Sequence, residues 1–312
     1  MSVIIDSHQH VWDLNRAEYA WLGPDAGILH RSIPMEEVLP SFAAAGIAGS
    51  VLVQSADNDE DTEYMLEVAR RSPQVLGVVG YVPLHEPDRA AERLAELQLQ
   101  PLFCGVRNLI HDRSDPHWLL RDDVDATLGL LEEAGVPFDV VGVLPEHLQA
   151  VIAISERHPR LRMVLDHLNK PPIGAAEDEP WRSLLAQAAE NPLVFGKVSG
   201  LYSAVGDPAD WAVDGIRPIF DHALEAFGPD RLLYGGDWPV SLIAGGYARV
   251  FTGITELLAD LDESARARIL AGTAADLYSL SISDSGTADA TADGAATDPA
   301  TEPATELQEE TP

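Results

Sequence analysis

Ile4-Ile5-Asp6-Ser7-His8-Gln9-His10 is an apolar run that ends in two histidines one residue apart. Near the other end of the chain, Arg231-Leu232-Leu233-Tyr234-Gly235-Gly236-Asp237-Trp238-Pro239 repeats the pattern and closes on a carboxylate. Side chains of a strand alternate with period 2, so His8 and His10 point the same way. Six further β-branched or apolar runs lie between these segments, at 50–54, 76–81, 104–108, 136–140, 162–166 and 194–199. With 3–6 and 231–236 they start 47, 26, 28, 32, 26, 32 and 37 residues apart. That rhythm suits alternating strand–helix units, and eight of them make a (β/α)8 barrel of the TIM type. The runs are continuously apolar, as expected of parallel strands buried on both faces. In such a barrel the first and last strands are neighbours, so His8, His10 and Asp237 meet.

The segments between the runs carry helix signals. Asp59-Glu60-Asp61 opens an amphipathic stretch at 62–71, and Pro145 stands at the first turn of 146–157. Gly135 and Gly228 follow 119–133 and 212–227 as C-caps, and 262–278 reads as the closing helix. The longest insertion, 11–37, follows the first strand and contains Trp12, Tyr19, Trp21 and His30. A long loop on the C-terminal face of a barrel covers or lines the site.

The 312 residues suffice for one large domain, taken as 1–281, and the composition (46% hydrophobic, 23% charged) is that of a soluble globular chain. From 282 to 312 the sequence turns to Ala, Thr, Asp, Glu, Gly and Pro, a mixture too poor in large apolar groups to order itself, so this acidic tail is expected to be disordered. It contributes eight acidic residues and no Lys or Arg, and removing them brings the net charge from −31 to −23. The folded part is therefore acidic as well, which excludes nucleic-acid and anionic-membrane partners. It favours a neutral substrate that yields an anionic product, unless local cations intervene. No run of 18 apolar residues, no basic and apolar leader and a single cysteine, Cys104, point to the cytoplasm. Homo-oligomerisation is left open.

Histidine nitrogens suit zinc, and a catalytic zinc needs about three protein ligands. His8 and His10 are thus ligands, or else hydrogen-bond a substrate without metal. His167, after Val164-Leu165-Asp166, is a third ligand or an electrophile that polarises a carbonyl, and Asp166 is expected to face away from the site. Asp237 binds metal or takes a proton from water; its alternative is a turn or cap residue, since Gly235-Gly236 signals a turn. Arg107 clamps a carboxylate or hydroxyls, or pairs with an acidic neighbour. Lys197 is a cation in an apolar run and must be paired or point into a site. Gln54 and Asn108 are polar strand-end candidates for substrate contact, and Trp12 and Trp238 are candidates to wall the pocket. Gly-x-Gly-x-x-Gly, a phosphate loop, Gly-x-Ser-x-Gly and Cys-x-x-Cys are all missing, which removes nucleotide, serine-hydrolase and thiol-redox readings.

Seven segments in order resemble the amidohydrolase-related (amidohydrolase 2) family. They are Ile5-Asp6-Ser7-His8-Gln9-His10-Val11-Trp12-Asp13, Val51-Leu52-Val53-Gln54, Gly77-Val78-Val79-Gly80-Tyr81-Val82, Gly105-Val106-Arg107, Val164-Leu165-Asp166-His167-Leu168, Lys197-Val198-Ser199-Gly200-Leu201 and Gly236-Asp237-Trp238-Pro239-Val240. Within that family they are most similar to the sugar-lactone hydrolase branch: L-fuconolactonases, L-rhamnonolactonases and the pyrone-dicarboxylate lactonase. The resemblance implies a metal-dependent-hydrolase-like TIM barrel that opens a lactone, with His8, His10, His167 and Asp237 at its core and Asp237 as general base. The run Val136-Pro137-Phe138-Asp139-Val140-Val141 lacks the histidine of dinuclear relatives, so one zinc or no metal is implied. Asn108 stands where the branch usually has histidine, with His111 close by, and Gly142-Val143 where it often has arginine; both departures bear on which sugar acid is bound.

The expected reaction is hydrolysis of a small aldonolactone, with Asp237 activating water. His167, or a metal on His8 and His10, stabilises the oxyanion, while Arg107, Gln54 and Asn108 hold ring hydroxyls. A zinc-dependent decarboxylase of an unsaturated or aromatic acid is the second reading, and a non-catalytic binding barrel the third.

Overall fold

The computed structural model describes residues 3–175, 177–204 and 207–281; the tail expected to be disordered lies outside the described residues. Eight parallel strands follow one another around a single sheet: β1 (Ile5–Gln9), β2 (Gly49–Val53), β3 (Val75–Gly80), β4 (Phe103–Asn108), β5 (Phe138–Val140), β6 (Met163–Leu165), β7 (Val194–Val198) and β8 (Leu232–Tyr234). The (β/α)8 expectation holds. Strands β5, β6 and β8 are only three residues long, shorter than their apolar runs.

Helices α1 (Leu39–Ala45), α2 (Asp59–Arg71), α3 (Pro87–Leu97), α4 (Asp122–Ala134), α5 (Pro145–Arg157), α6 (Trp181–Ala188), α7 (Val213–Phe227) and α8 (Tyr247–Leu257) surround the sheet. Their ends are chemically specified. The Asn58 side chain caps α2 by accepting from the Asp61 amide, Pro145 occupies the first turn of α5, and Gly135 ends α4 in the left-handed region. The stretch expected to be one closing helix is two, α9 (Glu263–Ala267) and α10 (Thr273–Tyr278), joined by a wider π-type turn over Arg268–Gly272. Among the described residues no helix is long and apolar enough to cross a membrane.

The core has two parts. The larger cluster packs the strands' outer faces against the helices. The smaller one fills the barrel with Ile5, Val51, Val53, Val79, Val164 and Leu233, joined by Leu277 and Tyr278 from α10. Ile5 faces this interior, and so do His8 and His10, although strict alternation would put 5 and 8 on opposite sides. A register irregularity between Asp6 and Gln9 absorbs the change of parity, the usual way in which a bulge re-aims a side chain.

Candidate active site

Closure of the barrel assembles the centre. The Asp237 amide donates to the His8 carbonyl at 2.8 Å and the His10 amide to the Trp238 carbonyl at 2.7 Å, which stitches the end of β1 to the segment after β8. His8 Nε2 then lies 3.7 Å and His10 Nε2 3.5 Å from Asp237 Oδ1. The His8 ring meets those of His10 and His167 edge-on, with centroids 4.8 and 4.6 Å away.

Each imidazole is oriented from behind. His10 Nδ1 sits 2.7 Å from the Val53 carbonyl oxygen. A carbonyl only accepts, so Nδ1 carries a proton, and Nε2 is the nitrogen turned toward Asp237. His8 Nδ1 is 3.3 Å from Asp166 Oδ1 and 3.3 Å from Lys197 Nζ, and burial holds this imidazole neutral, well below its ordinary titration range. His167 Nδ1 lies 2.9 Å from Ser199 Oγ, and burial lowers its pKa to about 4. Asp237 Oδ2 accepts from the Tyr202 hydroxyl at 2.8 Å. Burial pushes the Asp237 carboxyl up, but the pull of His167, His10 and His8 outweighs it and holds the group below the usual carboxylate range, ionised at neutral pH.

The backbone here is strained. His167, Leu168, Asn169 and Lys170 have φ of 55°, 51°, 58° and 44°, and Asp237 has φ 51°. A non-glycine residue in this region costs on the order of 1 kcal/mol or more. Such strain persists where the surroundings over-determine it: Trp181 Nε1 donates to the Leu168 carbonyl at 2.8 Å and Asn169 Nδ2 to that of Leu144 at 3.1 Å.

His10, His167 and Asp237 open onto a cavity of roughly 180 Å³, which Arg107, His111 and Lys170 also line, with Trp21, Ser55, Leu109, Val141 and Val240 completing the wall. Arg107 is the one expected substrate contact that reaches it, and its guanidinium is occupied by Asp166 Oδ2 at 2.9 Å and by the Gln54 carbonyl. Gln54 and Asn108 are fully buried and turn their amides to the Arg107 and Val82 carbonyls. Trp12 is equally buried, bound to the Arg31 carbonyl, and Trp238 does not line the cavity. The indole that does is Trp21, pinned by its N–H to the Ser55 carbonyl at 2.7 Å. The two tryptophans singled out for the wall, Trp12 and Trp238, do not line the cavity, whereas Trp21, from the same long loop as Trp12, does.

Two expectations are corrected outright. Lys197 does not reach a substrate. Its ammonium is fully buried and held by Asp139 Oδ2 at 2.5 Å and Asp166 Oδ1 at 3.1 Å, and Tyr278 of α10 donates to Asp139 at 2.8 Å. Asp166 does not face away either. It turns inward and joins Arg107, Lys197 and His8, because two buried cations need its charge. Asp139, Tyr202 and Tyr278 went unnamed; a carboxylate inside the apolar run of β5 was the available signal for the first, and nothing local marks the tyrosines.

The donor set fits one metal ion. His8 Nε2 is buried with no hydrogen-bond partner among the described residues, and it and His10 Nε2 face an ionised carboxylate at 3.7 and 3.5 Å. These separations are close to the roughly 3.3–3.5 Å between ligands of one tetrahedral zinc. His8, His167 and Asp237 each offer an atom within 4.8 Å of the others.

A closed parallel barrel with a histidine–aspartate centre at its C-terminal rim is the architecture of a TIM-barrel hydrolase. The chain belongs to the Amidohydrolase family (Amidohydro_2), whose model matches residues 5–280. It is 34% identical over 284 residues to an L-fucono-1,5-lactonase of Burkholderia ambifaria, covering 90% of this chain and 97% of that one. A second L-fucono-1,5-lactonase, from Burkholderia multivorans, is 34% identical over 292 residues, covering 88% and 96%. A crystal structure of a Burkholderia multivorans amidohydrolase with bound zinc superposes with a TM-score of 0.83 at 31% identity, covering 90% of this chain and all of that one.

Proposed function

We propose that the protein hydrolyses a small sugar lactone, an ester-bond hydrolysis of the kind the two Burkholderia relatives are named for. The observation that carries the reading is the Asp237 carboxylate, ionised and facing the Nε2 atoms of His8 and His10 beside a partly enclosed cavity.

In this reading Asp237 accepts a proton from water as the oxygen attacks the lactone carbonyl. The Ser199 hydroxyl donates to His167 Nδ1, which leaves the His167 proton on Nε2, aimed at the developing oxyanion. The carbonyl then re-forms, the ring C–O bond breaks, and the proton held by Asp237 passes to the departing ring oxygen. The product is an open hydroxy acid, which ionises in neutral solution. Tyr202 holds Asp237 in place through its other oxygen, and Asp166 and Lys197 hold His8. In a zinc-bound form His167 would present Nε2 without its proton, and His8, His10, His167 and Asp237 would hold the single ion, which would supply Lewis-acid polarisation of water and carbonyl.

The test is turnover of L-fucono-, L-rhamnono-, D-arabinono- and galactonolactones by protein stripped with chelator and then resupplied with zinc, followed by acid release. Hydrolysis of at least one lactone is expected. Loss on stripping and recovery with zinc supports the ligand set, and undiminished turnover supports a metal-free route. No hydrolysis in either state sinks the lactonase reading.

A further inference from the structure

The run His167-Leu168-Asn169-Lys170 is one full turn of left-handed helix, with φ of 55°, 51°, 58° and 44°. Residues three apart on a helical turn share a side. His167 and Lys170 therefore line the same cavity. Leu168 goes to the core, against the bare α-carbon of Gly196, and Asn169 goes to the start of α5.

The cavity's charges are unevenly settled. Arg107 is matched by Asp166. Asp237 is surrounded by His8, His10 and His167. Burial lowers the pKa of His111 to about 4 against the upward pull of Asp112, 3.4 Å away, with the nearby Arg107 and Lys170 charges adding to the lowering. The Lys170 ammonium, in contrast, has no ion-pair or hydrogen-bond partner among the described residues, in a chain of net charge −31. A half-buried cation that lines the cavity with no acidic partner, while 51 acidic residues are available elsewhere, marks a place for an anion that arrives from outside. A lysine serves this role as a compact point charge that need not match a planar geometry. The partly enclosed setting makes the attraction stronger than at a surface.

We propose that Lys170 is the carboxylate anchor of the cavity: it grips a hydroxylated carboxylate, either one that the lactone already bears or the one that ring opening releases. This rests on the lactonase reading for its substrate, but not for its first test.

That test is equilibrium binding, which needs no turnover. Galactonate and galactitol differ by a carboxylate against a hydroxymethyl group, and calorimetry compares them on the wild type, Lys170→Met and Lys170→Arg. The wild type is expected to bind galactonate at least tenfold more tightly, with a preference that shrinks as salt is raised. Lys170→Met should abolish the preference and Lys170→Arg keep most of it. Equal binding of the two ligands by wild type, or an equal loss of both in Lys170→Met, overturns the proposal. Should the methionine variant fold poorly, the salt dependence of the wild-type preference decides.

Kinetics then separates the sources. If the substrate carries the carboxylate, galactarolactone should exceed galactonolactone in kcat/KM by tenfold or more, and Lys170→Met should erase the difference through KM. If the carboxylate is the released one, the lactones should perform alike, and galactonate inhibition should weaken tenfold in Lys170→Met. A failure to hydrolyse any lactone removes the lactonase reading and leaves the binding result standing.

Discussion

Two clusters of ionisable side chains share this barrel and differ in one respect. Asp139, Asp166, Lys197, Arg107 and Tyr278 form a closed set in which the two carboxylates, the ammonium and the guanidinium meet opposite charges at 2.5–3.1 Å. His8, His10, His167, Asp237 and Lys170 form an open set: His8 Nε2 and the Lys170 ammonium have no partner, and the closest contacts of Asp237 Oδ1 with histidine are 3.5 and 3.7 Å. Buried polar groups are ordinarily satisfied. The closed set is thus scaffold, and the open set is poised for something that comes from outside. The teaching is that polarity inside a barrel does not mark a site, whereas unsatisfied polarity facing a cavity does.

The sharpest way to break this contrast is Asp237→Asn. It keeps the shape and removes the base, so kcat/KM on a hydrolysed lactone should fall by about 10³, while the thermal midpoint stays within a few degrees. A variant that retains near-full activity would remove Asp237 from the role of base.

Lys197→Met should give the mirror image. It strands Asp139 without its cation and leaves Asp166 with Arg107 alone, and breaking a buried pair costs roughly 3–5 kcal/mol, read in a urea titration. Asp139→Asn combined with Lys197→Met should recover part of the loss, because the stranded charge goes with its partner. If Lys197→Met unfolds at the wild-type midpoint, the closed set is not the scaffold described.

The smallest effect concerns pH. His167 has its folded pKa lowered to about 4 from 6.5. Between those values the unfolded chain takes up a proton that the folded protein refuses, so His167 makes the fold less stable as pH falls through the window. Relative to His167→Gln, the wild type should lose roughly 3 kcal/mol between pH 7 and pH 4. A pH-independent difference between the two denaturation series would show that His167 is solvated rather than buried neutral.

Much of the centre was legible because barrel sites lie at strand ends. His8 and His10 close β1, and His167 and Asp237 follow β6 and β8 directly, so an apolar run that ends in a ligand-type residue identifies each of them. The substrate-facing wall was not legible by the same rule. Gln54, Asn108 and Lys197 also stand at strand ends or within strands, yet they spend their N–H donors on carbonyls and carboxylates of neighbouring strands. Trp21, His111 and Lys170 come from loops and turns, whose direction depends on what they pack against. The boundary near 282 is a proposal from composition alone.

The sequence by itself determined the eight parallel strands, their order and the histidine–aspartate set, since strand periodicity and apolar runs act within a few residues. Tertiary structure alone decided which polar groups are spent and which are free. A lysine in an apolar run reads the same whether it meets a substrate or two buried carboxylates. The answer lies in side chains that are distant in sequence: Asp139 and Tyr278 for Lys197, and, for Lys170, a left-handed turn held by Leu144 and Trp181. Burial makes each such pairing nearly obligatory, because an unpaired charge in a low-dielectric interior costs far more than any local conformational preference.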